Sequence, residues 1–226
     1  MKNRYEKHAK ISERKFREIL RVYALDLSAL TAGKLCGLNY RSVHRLYGLF
    51  RQRVVELALA DLAPFAGEIE VDESYFGARR VRGKRGRGAG GKTPVLGLHQ
   101  RGHQVFVSVV ANCSKRELWP ILKGHILEQS DVYTDGWRAY DGLVTSGYKH
   151  HRVHHHENEF ARGKNHVNGI ESFWSFAKFR MTKLRGVRAD KFFLHLKECE
   201  WRWNHRRANV YQLLLKNFRH SPLSAT

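Results

Sequence analysis

Three acidic residues, remote from one another along the chain, carry the chemistry this sequence could perform. They are Asp72 in EIEVDESYFG, Asp135 in VYTDGWRAY and Glu171 in NGIESFWSFAK, with 62 residues between the first two and 35 between the last two. Carboxylate oxygens are preferred ligands of hard divalent cations. Three of them converging could hold two magnesium ions about 4 Å apart, with manganese able to substitute; such a pair activates a water or a 3′ hydroxyl and stabilises the oxygen leaving phosphorus. Without a cation the same three groups would repel one another. The chemistry implied is phosphoryl transfer on a nucleic acid, with no small-molecule cofactor.

Each residue also has a plainer reading. Asp72 could be a solvated carboxylate on an edge strand, and Asp135 a turn or helix-capping residue ahead of Trp137. Asn168 with Glu171 three residues later resembles a capping box, in which both side chains satisfy helix-end amides. The functional reading rests on the set rather than on any member.

The elements that must position the set follow from periodicity. In EIEVDESYF, Ile69 and Val71 alternate with Glu68, Glu70 and Asp72, which predicts a strand with one acidic face and Asp72 in its middle. PVLGLHQRGHQVFVSVV predicts two strands, 94–99 and 104–110, joined by a tight turn through Arg101 and Gly102. ELWPILKGHIL offers a short helix, and Val132 and Tyr133 lead to Asp135 at the end of a buried strand. A helix follows, then a strand over 148–153. Ile170, Phe173, Trp174, Phe176 and Ala177 then recur at helical spacing, so Glu171 opens a helix. This is the order of a ribonuclease-H-like α/β domain with a mixed sheet.

DESYFG, a basic glycine-rich tract, YTDGWRAY, HVNGIESFWSFAK and KECEWRWNHR resemble, in that order, the DDE transposases of bacterial insertion sequences related to eukaryotic Merlin elements. The resemblance spans roughly residues 68–207. It implies that Asp72, Asp135 and Glu171 are a metal-binding catalytic triad and that Lys178, seven residues past Glu171 on the same helix face, is a basic residue used on DNA. Some members of the wider group have asparagine as third ligand, which makes Asn168 the alternative; Glu171 is preferred because a carboxylate binds a hard cation better than an amide. The resemblance further implies cleavage at terminal inverted repeats, strand transfer into target DNA, and a homodimer on paired ends. Cys36, Cys113 and Cys199 are isolated, with no CxxC pair, so the N-terminal zinc ribbon of many relatives is not expected.

Composition agrees with a double-stranded DNA partner. The chain has 41 Lys and Arg against 21 Asp and Glu, a formal charge of +20, and such a field favours polyanions. Residues 1–60 carry 13 basic and 5 acidic side chains and residues 161–226 carry 14 and 4, so the middle is nearly neutral. ARRVRGKRGRGAGGK holds Arg79, Arg80, Arg82, Lys84, Arg85, Arg87 and Lys92 and no acid. Glycine and charge forbid a packed core there; a loop beside the Asp72 strand that contacts phosphates is expected.

Residues 1–62 predict a small all-helical domain, and residues 63–226 the catalytic one, with DLAPFAG as linker. Ile11, Phe16, Ile19, Leu20 and Tyr23 mark one amphipathic helix, capped by Ser12. TAGKLCGLNYRSVHRLYGLFRQRVV resembles a helix-turn-helix whose second helix would present Arg41, Ser42, His44 and Arg45 to the major groove. Phe192, Phe193, Leu196, Cys199 and Trp203 predict a C-terminal helix closing the catalytic sheet. Trp137, beside Asp135, could stack on a displaced base. The histidines of KHHRVHHHENEFARGKNH are read as solvated or phosphate-facing. No apolar run reaches membrane-spanning length, so a cytoplasmic, nucleoid-associated protein is expected. Two other functions fit the same features: a structure-specific nuclease without strand transfer, and an inactive DNA-binding regulator derived from such an enzyme.

Overall fold

The computed structural model describes residues 3–77, 91–135, 140, 142–153, 167–184 and 186–224. In chain order the elements are helices α1 (Glu13–Ala24), α2 (Ala29–Cys36) and α3 (Tyr40–Ala60); strands β1 (Glu68–Phe76), β2 (Thr93–Gln100) and β3 (Val105–Val109); helix α4 (Lys115–His125); strands β4 (Asp131–Asp135) and β5 (Lys149–Val153); and helices α5 (Asn168–Thr182), α6 (Ala189–Asn204) and α7 (Val210–His220). They form two units, one of residues 1–61 with 181–226 and one of residues 62–180. Among the described residues no helix is long and apolar enough to cross a membrane.

In the first unit α1 starts where Ser12 accepts the Lys15 amide, and it buries Phe16, Ile19, Leu20 and Tyr23 on one stripe. Helix α2 ends at Gly37, whose positive φ of 61° suits a residue without a Cβ. After two more residues α3 begins, its first turn capped by Asn39. Phe16 meets Phe50 and Phe218 edge-on, while Phe50 and Phe218 stack 5.2 Å apart.

The C-terminal helices depart from the expected arrangement. Trp201 of α6 and Leu214 and Phe218 of α7 belong to this same apolar core, so residues 181–226 join the N-terminal helices instead of closing the sheet. The cause is polar as much as apolar. Fully buried Glu198 pairs with Arg51 of α3 at 2.8 Å and with Arg202 at 3.0 Å. Arg202 in turn donates to the Tyr23 and Ala24 carbonyls at the end of α1. Buried charges are tolerable only when so matched, and apolar periodicity could not reveal the match. Near the two chain ends, the Leu223 amide donates to the Tyr5 carbonyl at 2.9 Å and the Lys7 amide to the Leu223 carbonyl at 2.7 Å.

The second unit is a five-stranded sheet in the order β3-β2-β1-β4-β5. The first three strands form an antiparallel meander, and β4 and β5 run parallel to β1. That order and those directions are the ribonuclease-H-like arrangement expected. Gly102, with φ 75°, makes the β2–β3 turn. Ile69, Val71, Leu96, Leu98 and Val132 from the sheet pack with Leu118 and Leu122 of α4.

Candidate functional site

Strand β1 is central, which removes the edge-strand reading of Asp72. It pairs in parallel with β4 through Val71↔Thr134, so Asp72 and Asp135 occupy the next rung. Same-register residues of parallel neighbours project to one face, and the two aspartates therefore share it at the carboxyl end of β4.

Helix α5 is locked to that face by close fits. Gly97 of β2 is the cross-strand partner of Asp72. A Cβ there would overlap Trp174 Cζ2 and lie 2.8 Å from Ile170 Cδ1, so glycine makes room for the helix. Trp174 Nε1 then donates to Asp72 Oδ2 at 3.0 Å. Its ring meets Phe76 edge-on at 6.0 Å, and Lys178 Nζ lies 5.9 Å from the Phe76 centroid. Glu171, Trp174 and Lys178 are spaced i, i+3, i+7, one face of the helix.

The start of α5 is held by Glu70, one strand period before Asp72. Glu70 is buried; its Oε2 accepts the Ile170 amide at 2.8 Å and faces His99 Nδ1 at 3.2 Å, while Oε1 accepts from Arg101 Nε at 3.0 Å. Burial alone would raise its pKa, but these hydrogen bonds outweigh burial and hold it below the usual carboxylate value. Gly169 is required beside them, since a Cβ there would overlap the His99 ring and lie 2.8 Å from Glu70 Oε2. The Glu171 amide bonds the Val167 carbonyl at 3.1 Å. Asn168 is therefore already inside the helix, and the Glu70 carboxylate satisfies a helix-end amide, the role that the alternative capping-box reading gave to Asn168.

Asp72 records the convergence electrostatically. Burial, the largest cause, pushes its pKa from 3.8 up to about 6; the Glu73 amide holds it down, Asp135 pushes up, Trp174 holds down, and Glu171 pushes up. Both remote carboxylates thus act on Asp72. Among the described residues, no three His, Cys, Asp or Glu side chains are grouped closely enough to hold an ion as they stand. Tyr140, fully buried, donates its hydroxyl to Glu73 next to Asp72. Burial first and then Glu73 drive its phenol well above the ordinary value, with Asp72 and Asp135 adding to the effect.

The other predicted residues fall in several places. Asn168 is exposed, its carbonyl taken by the Ser172 hydroxyl at 2.7 Å. Arg41, Ser42, His44 and Arg45 are exposed on the first turns of α3, and Arg45 pairs with Glu6 at 2.6 Å. Lys92 is exposed just before β2. Arg79, Arg80, Arg82, Lys84, Arg85, Arg87 and Trp137 lie outside the described residues, as do His154, His155, His156 and His166. His150 and His151 are sheet residues instead of solvated ones: His150 Nε2 lies 2.8 Å from the Thr134 hydroxyl, and His151 bonds Asp131 at 2.8 Å and stacks on Tyr133. Glu70, Gly97, Gly169 and Tyr140 were not anticipated. The acidic alternation that marks Asp72 includes Glu70, but a two-residue period cannot say which acid is buried.

Residues 64–204 match the ISXO2-like transposase domain, a span that contains all three carboxylates. The chain belongs to this transposase family. It is 39% identical over 113 residues to an uncharacterized transposase-like protein of Haemophilus influenzae, covering 50% of this chain and 91% of that one. It is also 32% identical over 182 residues to an uncharacterized protein in transposable element ISH50 of Halobacterium salinarum, covering 73% of this chain and 60% of that one. Among solved structures, the HTLV-2 integrase catalytic core domain in complex with magnesium aligns at 12% identity over 71% of this transposase-family chain and 99% of its own, with a TM-score of 0.38. At that score the fold assignment rests on the strand order of the transposase domain itself.

Proposed function

We propose that this protein is a DNA transposase that cuts DNA at terminal inverted repeats and joins the freed 3′ ends to target DNA. The observation that carries the reading is geometric: Asp72 and Asp135 occupy one rung and one face of the sheet, and the helix that begins with Glu171 in its first turn packs onto that face through Trp174. Asp72 and Asp135 would hold two divalent cations between them, and Glu171 would complete one of them by rotation of its exposed side chain. The donor set is all oxygen, which suits magnesium or manganese. Bound there, the ions would supply Lewis acidity at the scissile phosphate.

The chain's own residues supply the rest. Trp174 engages one Asp72 oxygen and so orients the carboxylate. Glu70 fixes the N-terminus of α5 and so the height of Glu171 above the sheet. Lys178, two turns on, would meet a phosphate flanking the scissile bond. In cleavage, water oxygen bonds to phosphorus as the bond from phosphorus to the 3′ oxygen breaks, and that oxygen leaves as a hydroxyl; in strand transfer the hydroxyl attacks a target phosphate and displaces another 3′ oxygen. Arg41, Ser42, His44 and Arg45 on α3 would read the repeats in the major groove, with phosphate contacts from the tract Arg79 to Lys92. A homodimer would hold the paired ends.

The test is an assay on labelled DNA carrying an element end, with magnesium or manganese, for the wild type and Asp135→Asn. Joined products that vanish in the variant support transposition. Metal-dependent nicking without joining would leave a nuclease, and DNA binding without either would leave a regulator.

A further inference from the structure

The outer face of α4 takes no part in the site above. One open trough of about 460 Å³ runs along it and a second, of about 550 Å³, continues past the end of the helix; they share Lys123 and Ser146, so they form one groove. Lys115 and Arg116 stand at one end, and Lys123 lies eight residues further along the helix. That separation is about 12 Å. The floor is Trp119, buried under both lysines: Lys115 Nζ lies 4.8 Å and Lys123 Nζ 5.4 Å from its ring centroid. Resting on the indole face restricts two flexible cations and keeps both charges on the groove. Among the described lining residues the single acid is Glu128, at the far end.

The groove is tied to the carboxylate site by packing. Gly142 stands two residues after Tyr140, which bonds Glu73 beside Asp72. A Cβ on Gly142 would come 2.6 Å from Lys115 Nζ and 3.0 Å from Trp119 Cζ2, so the backbone at Gly142 lies directly against the groove wall.

We infer that this groove binds the phosphodiester backbone of duplex DNA. Open along its length, it does not enclose a small ligand, and it offers the cations of Lys115, Arg116 and Lys123 and the Ser146 hydroxyl. Lys115 to Lys123 would span about three to four nucleotides of one strand at 3.4 Å of axial rise each. The assignment rests on the transposase reading only for the identity of the polymer.

The test is the salt dependence of binding to a 30-base-pair duplex that lacks any element end, read by fluorescence anisotropy on the full chain. Lys115→Gln/Arg116→Gln/Lys123→Gln is compared with wild type and with a charge-matched control, Lys10→Gln/Lys191→Gln/Lys216→Gln. Losing three phosphate contacts lowers the slope of log K against log salt by about 2 to 3, and the affinity at 0.1 M salt by on the order of 10²-fold. The groove variant should show this at an unchanged melting temperature, and the control should not. An unchanged slope, or an equal loss in the control, overturns the assignment. Metal-dependent cleavage of element-end DNA is scored separately, so loss of slope without any cleavage sinks the transposase reading and leaves the groove standing, while cleavage with an unchanged slope does the reverse.

Discussion

Replacing Asp72 by asparagine should stabilise the metal-free protein at alkaline pH, although the same change removes a proposed ligand. The side chain carries a pKa of about 6 in the fold against an ordinary 3.8, so the native state holds its proton longer than the unfolded chain does. Its contribution is therefore most favourable below about pH 4 and is lost as pH rises through 6. At 1.36 kcal/mol per pH unit the loss reaches about 3 kcal/mol at pH 8. Asparagine is isosteric, never ionises, and can still accept the Trp174 hydrogen bond through its amide oxygen. Urea denaturation in chelator, at pH 4 and at pH 8, should give nearly equal stabilities at the lower pH and a variant about 3 kcal/mol more stable at the higher. Saturating magnesium should narrow the gap by stabilising the wild type alone. Equal stabilities at both pH values, or a variant that is weaker at pH 8, would refute both the burial and the convergence of charge on Asp72.

Gly97→Ala should displace Trp174 from Asp72 and cost about 1 to 3 kcal/mol by overpacking, with DNA cleavage falling further than the melting temperature suggests. Trp174→Phe removes a hydrogen bond that holds the Asp72 pKa down, so the acidic limb of the cleavage rate against pH should move to higher pH. If that limb stays put, Trp174 does not act on Asp72. Glu70→Ala leaves the Ile170 amide without its carboxylate and Arg101 with one fewer partner; a loss of about 3 kcal/mol in urea denaturation is expected, together with a higher metal concentration for half-maximal cleavage. Arg51→Ala tests the other unit's dependence on its buried pair, and removing the Arg51 partner of Glu198 should cost about 2 to 4 kcal/mol by the same measurement.

Local pattern determined much of this protein. Alternation in EIEVDESYF and helical spacing after Asn168 placed Asp72 in a strand and Glu171 at a helix start, because side-chain periodicity follows directly from backbone geometry. The cap at Ser12 was legible for the same reason: a helix end is satisfied within a few residues. What the tertiary structure alone decided depends on partners far along the chain. No local signal separates Glu70 from Glu68, and only the arrival of Ile170, His99 and Arg101 makes Glu70 the buried anchor of α5. Gly97 and Gly169 read as ordinary glycines until α5 meets the sheet, where a Cβ on either would lie within 3 Å of side chains across the contact. The C-terminal helices have the apolar stripe that a sheet would accept, yet the ion pair from Arg51 to Glu198 assigns α6 to the N-terminal helices across 147 residues of sequence. A stripe specifies that a face must be buried, and complementary shape and charge specify against what.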